Sequence, residues 1–154
     1  MNTVNLEKIS EQYKMSIENC TRRIIICAGT GCLANGSMNV YEELKNKAEL
    51  KGLDIKIELD KHDDTNKSFI HLTGSGCQGF CAEGPLLTIL PENILYTKVR
   101  VTDVEEIVNE TLLNNRIITR LLYENPVTHE RNKGTDEIPF YKLQKRLVLG
   151  ECGL

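Results

Sequence analysis

An α/β fold is the class this sequence predicts, and three observations predict it. The β-branched run Arg22-Arg23-Ile24-Ile25-Ile26 ends at Cys27 and reads as a buried strand. A helix-period segment and the alternating stretch Asp54 to Leu59 follow it, which makes a strand–helix–strand unit. Two further apolar runs, residues 86–90 and 94–99, flank Pro91-Glu92-Asn93 and read as an antiparallel hairpin. A closing helix completes the order.

Taken in order, Leu6, Ile9, Tyr13 and Ile17 are spaced by three and four residues, and predict an amphipathic helix over 4–19. The strand to Cys27 comes next, then a glycine-rich loop, CAGTGCLANGS. A helix over about 37–50 puts Val40, Leu44 and Ala48 on one face, with Gly52 as its stop. The strands before and after it should run parallel, joined by a right-handed crossover. Phe69-Ile70-His71-Leu72 is a short extended piece leading into a second glycine-rich loop, GSGCQGFC. Thr102 and Glu105 have capping-box spacing ahead of Val104, Ile107, Val108 and Leu112. Parallel strands plus a hairpin make the expected central sheet mixed, with helices flanking it. Beyond residue 116 the periodicity loosens around Pro126, Gly134 and Pro139. The division expected is an N-terminal helix (1–20), a main domain (21–116) and a linker or docking extension (117–154).

Composition excludes several classes. At 154 residues the chain suits one compact domain with its own core. A net charge of −3 gives no footprint for nucleic acid. No apolar run approaches the ~18 residues needed to span a bilayer, and the polar N-terminus is not a secretory signal. The location expected is therefore cytoplasmic. Six cysteines in a reducing compartment point to metal or redox chemistry rather than structural disulfides.

Four of those cysteines fall in two tight pairs, Cys27-x4-Cys32 and Cys77-x3-Cys81, each in a glycine-rich loop. Cys20 and Cys152 stand apart as incidental thiols. A thioredoxin-type redox centre needs Cys-x-x-Cys, and neither pair has it. A structural zinc site needs four tetrahedral ligands, and these spacings lie at the wide end of its usual range. A [2Fe–2S] cluster takes four thiolates shared by two irons, which two loop pairs can supply. The backbone N–H groups of Gly29, Gly31, Gly74, Gly76, Gly79 and Gly84 suit the buried negative charge of such a cluster. Neither loop contains lysine or arginine, so a low reduction potential is expected.

Both cysteine spacings match the pattern of the thioredoxin-like [2Fe–2S] ferredoxins, which this chain resembles. RRIIICAGTGCLANGS, GSGCQGFCAEGPLLTILPENILYTKV and the helix after VTDVEEIV carry the resemblance over most of residues 21–115. It implies a thioredoxin-like fold with an extra N-terminal helix, and Cys27, Cys32, Cys77 and Cys81 as cluster ligands. The chain is similar, more narrowly, to the N-terminal domain of the flavin- and NADH-binding subunit of multisubunit hydrogenases, related to respiratory complex I. The tail IPFYKLQKRLVLGECGL resembles the entry to the flavin-binding domain there. FMN, NAD(P)H and [4Fe–4S] clusters would then belong to a remainder of the parent chain. Partners would be the other subunits of such a complex, and a homodimer is a further option. A structural zinc module that mediates assembly stays open as the alternative function.

His62, His71 and His129 are scattered, and only His71 lies near a cysteine pair, as an ordinary strand residue. Glu83 follows the second pair and reads as a solvated loop charge, with shaping of the cluster's electrostatics or of a docking surface as the alternative. No carboxylate pair is placed for acid–base catalysis, so no catalytic residue is expected. GTGCLANG lacks the glycine spacing of a dinucleotide site, so NADH binding by these residues alone is not expected.

Overall fold

Ile24, Ile25 and Ile26 are each 1% exposed or less, because the strand that carries them is central and covered on both faces. This strand is β1 (Cys20–Cys27) of a five-stranded sheet in a computed structural model describing residues 5–57, 67–145 and 147. The others are β2 (Ile55–Lys56), β3 (Phe69–Ser75), β4 (Leu87–Leu90) and β5 (Ile94–Tyr96), in the order β2-β3-β1-β4-β5. β3 runs parallel to β1 and β2, while β4 and β5 are antiparallel to their neighbours. The mixed sheet and the hairpin are as the sequence predicts.

The strand order differs in one respect. The first two strands of the strand–helix–strand unit are parallel but not adjacent, because β3 lies between them. Phe69, Ile70, His71 and Leu72 are all buried, whereas Ile55 and Lys56 are half-buried. The more apolar segment takes the inner place, and the shorter one is left at the edge. Residues 58 and 59 of the predicted second strand lie outside the described residues.

Helix α1 (Leu6–Ile17) is capped by Asn5, whose Oδ1 accepts from the Lys8 N–H at 3.0 Å. Its predicted apolar face meets no core: no residue of α1 is buried, and Leu6 is 74% exposed. A short helix α2 (Thr30–Ala34) precedes α3 (Ser37–Leu50), which buries Val40, Tyr41, Leu44 and Ala48. α3 ends as predicted at Gly52, with φ of +78°. There Leu53 N–H donates to Ala48 O (3.0 Å) and Gly52 N–H to Glu49 O (2.9 Å), so the last carbonyls are satisfied.

The closing helix starts in a tight turn at Val101–Asp103, continues as α4 (Val104–Glu106) and widens into π-type turns over Ile107–Leu113. Val104, Ile107, Val108 and Leu112 face the core. Its cap is not the predicted box. Asp103 accepts the Arg100 N–H at 2.8 Å, while the exposed Glu105 pairs with Lys47 at 3.5 Å. The helix begins earlier than the apolar period shows, so the capping carboxylate lies two residues earlier.

The last segment packs back on the domain. Ile118, Leu121 and Leu122 enter the main core. Thr97 N–H donates to Leu121 O (2.8 Å) and Leu95 N–H to Lys133 O (2.7 Å), which pairs the open edge of β5. A small hairpin, β6 (Tyr123–Glu124) with β7 (Arg131–Asn132), leads to helix α5 (Pro139–Lys142). Among the described residues no helix is long and apolar enough to cross a membrane.

Candidate metal centre

The parallel pairing of β1 with β3 brings the two cysteine loops together. Cys27 ends β1 and pairs with Ser75, the last residue of β3, so both loops leave the same end of adjacent strands. Ala28 N–H donates to Ser75 O (3.0 Å) and Cys27 N–H to Leu86 O (3.1 Å), fixing the base of the first loop. Cys32 lies on α2, Cys77 follows β3, and Cys81 opens a tight turn over Cys81–Glu83.

The four predicted thiols meet in twos. Burial, helped by a hydrogen bond with Cys27, pushes the Cys32 thiol up to about 11, and the charges of Cys27 and Cys81 act in the same direction. The Cys81 thiol is raised chiefly by its hydrogen bond with Cys77, and also by the Cys27 charge. Both shifts disfavour the thiolates of Cys32 and Cys81, and positive charge placed beside them would favour those thiolates. Among the described residues, no group of three or more His, Cys, Asp or Glu is placed to hold a metal ion. Two cysteine couples supply the four thiolates that a binuclear cluster spreads over two metal atoms.

Glycines let the loops close on one another. A Cβ on Gly29 would lie 2.9 Å from Cys77 Cα, one on Gly31 3.4 Å from Cys81 Sγ, and one on Gly84 2.5 Å from Cys32 Sγ. Gly79 adopts φ of +80°, and its N–H donates to Cys77 Sγ at 3.4 Å. These are the close backbone approach and the amide donor that a sulfur-ligated anionic cluster requires. Gly76 offers its carbonyl to Cys27 Sγ at 3.7 Å rather than its N–H.

The couples differ in solvent contact. Cys27 and Cys32 are 1% exposed, while Cys77 and Cys81 are exposed. Leu86, Leu95 and Ile138 wall the inner couple, with Phe80, Tyr123 and Tyr141 packed behind. Nothing in the sequence marks this wall. Ile138 and Tyr141 have no period to mark them, and only the aromatic content of IPFYK hints at a packing role.

Other candidates resolve simply. Cys20 is half-buried and donates to Arg22 O at 3.1 Å, away from the four thiols; Cys152 and His62 lie outside the described residues. His71 is a buried residue of β3, and His129 is exposed beside Glu124. Glu83 is not the free solvated charge expected: it pairs with Lys98 at 3.2 Å with its side chain largely covered.

Comparison with known proteins agrees with this geometry. The family model "Thioredoxin-like [2Fe-2S] ferredoxin" matches residues 1–112. A 2Fe-2S ferredoxin of Clostridium pasteurianum is 33% identical over 103 residues, covering 67% of this chain and 96% of that protein. One from Aquifex aeolicus is 33% identical over 51 residues, 33% of this chain and 46% of its own length. The solved structure of the wild-type thioredoxin-like [2Fe-2S] ferredoxin from Aquifex aeolicus superposes with a TM-score of 0.53 at 21% identity, over 68% of this chain and 97% of that one. At that identity the superposition speaks for the thioredoxin-like fold. The family brings with it a [2Fe–2S] cluster as cofactor and one-electron transfer as function, and the donor set fits that cluster. The chain belongs to the thioredoxin-like [2Fe-2S] ferredoxin family.

Proposed function

We propose that this chain carries electrons through a [2Fe–2S] cluster held by Cys27, Cys32, Cys77 and Cys81, as part of a larger NAD(P)-linked oxidoreductase. The observation that carries the ligand assignment is the delivery of both cysteine pairs to one end of β1 and β3. The cluster, when bound, supplies a site that takes up and releases one electron at a time. The buried Cys27 and Cys32 anchor it in the domain, and the exposed Cys77 and Cys81 bring it to the surface, where a partner can approach. Glycine loops hold the sulfurs close and offer amide donors without adding side-chain bulk.

The larger context rests on the sequence resemblance to the flavin- and NADH-binding subunit of hydrogenases and complex I. In that reading residues 1–20 are an added helix, 21–116 the ferredoxin domain, and 117–154 the passage to a flavin-binding domain, in a cytoplasmic complex. Partners are then the other subunits of that complex, and the FMN and NAD(P)H sites lie outside these residues.

Visible absorption and iron analysis test the ligand assignment. A brown protein with bands in the ~400–550 nm region, lost on changing any one of the four cysteines to alanine, agrees with it. A colourless protein holding zinc on the same sulfurs would replace it with a structural role. The context has its own test: NADH should bleach the bands only when these residues are joined to a flavin-binding domain that follows them in the parent chain.

A further inference from the structure

The family match ends at residue 112, yet the chain beyond it returns to the cysteine site. Ile138 is completely buried in the cluster formed by Cys27, Cys32, Leu86 and Leu95. Phe80, in the loop between Cys77 and Cys81, stacks on Phe140 with centroids 4.6 Å apart and planes 9° apart. It also meets Tyr141 edge-on at 5.5 Å and Tyr123 at 5.3 Å. The Tyr141 hydroxyl donates to Gln78 O in the same loop, at 3.4 Å. One segment thus plugs the inner couple and grips the loop of the outer couple.

We infer that residues 118–143 form a fixed cap on the cysteine site, with Ile138, Phe140 and Tyr141 as positioning residues that lower its reduction potential and slow iron loss. This rests on the ligand assignment proposed above. Ile138 fills the space from which water would reach Cys27 and Cys32. The aromatic stack restrains Phe80, and so the turn that presents Cys77 and Cys81. Reduction adds negative charge to the site, and water stabilises the more highly charged form. A cap that excludes water therefore disfavours reduction. Held in place, the outer loop also opens less often to a chelator or oxidant.

The test uses the full chain with Ile138→Ala and, separately, Phe140→Ala combined with Tyr141→Ala. Leu50→Ala, at a site 81% exposed at the end of α3, is the control. Three readouts are taken: midpoint potential, iron capture by a chelator, and cysteine alkylation in the reduced, metal-free protein. Both capping variants should raise the midpoint and release iron about tenfold faster, with the control unchanged. In metal-free protein Ile138→Ala should speed alkylation of Cys27 and Cys32, and the aromatic pair that of Cys77 and Cys81. A general loss of stability would speed release without moving the midpoint, so an unmoved midpoint overturns the inference. Should the wild type hold no iron, the ligand assignment fails by itself. The alkylation rates then decide the cap, and unchanged rates overturn it.

Discussion

Gly84 stands so close to Cys32 that a Cβ built on it would lie 2.5 Å from the Sγ, nearer than side-chain atoms pack. Cys32 is buried, at 1% exposure. Gly84→Ala should therefore cost about 1–3 kcal/mol by overpacking, and should lower the iron held per chain. Gly52→Ala tests a different cost, since nothing lies within 4 Å but φ is +78°. It should lower the melting temperature while leaving iron content intact. Equal iron loss in both would show that Gly84 matters only to folding.

Arg22 ties the sheet to the end of the closing helix. It pairs with Glu92 at 2.6 Å and donates to the carbonyls of Thr111 (3.2 Å) and Leu112 (2.9 Å). The side chain is mostly covered, so its loss leaves helix-terminal carbonyls and a half-buried carboxylate without their donor. Arg22→Ala should destabilise by about 2 kcal/mol in denaturant unfolding. Arg22→Lys should recover only part, because an ammonium cannot serve Glu92, the carbonyls of Thr111 and Leu112, and the Asn115 Oδ1 from the plane of a guanidinium.

His71 predicts a pH dependence. Burial, and then the Arg23 charge, lower its pKa below the ordinary value of 6.5. The unfolded chain therefore binds a proton that the folded one refuses between the lowered pKa and about 6.5. Stability due to this group is present above 6.5 and is lost as pH falls through that window. The denaturation midpoint of the wild type should fall more steeply than that of His71→Gln between about pH 7 and 5. Parallel curves would remove His71 as the cause.

Glu83 and Lys98 form the ion pair beside the second cysteine loop. Glu83→Gln removes a negative charge two residues from Cys81 and frees a lysine, so the midpoint potential should rise. Lys98→Gln should lower it. Shifts of the same sign in both variants would argue for a change in loop structure instead.

What the sequence made legible is what local spacing encodes. β1, α3, the hairpin and both cysteine loops follow from periodicity and turn residues within short windows. The place of β3 between β1 and β2 was not legible, because strand order is settled by which segment can bury both faces. The apolar stripe of α1 marks a helix but not a partner, and no residue of that helix is buried. The return of Ile138 to Cys27 and Cys32 was hidden for the opposite reason. It is one residue in a segment broken by Gly134 and Pro139, and its burial depends wholly on distant contacts.

The proposal that Cys27, Cys32, Cys77 and Cys81 hold one [2Fe–2S] cluster is tested by iron and acid-labile sulfide, measured in the wild type and in each single cysteine-to-alanine variant. About two iron and two sulfide are expected per wild-type chain, lost or strongly reduced in all four variants and unchanged in Cys20→Ser. Sulfide-free protein carrying zinc, or full iron retained after loss of any one of the four, would contradict it.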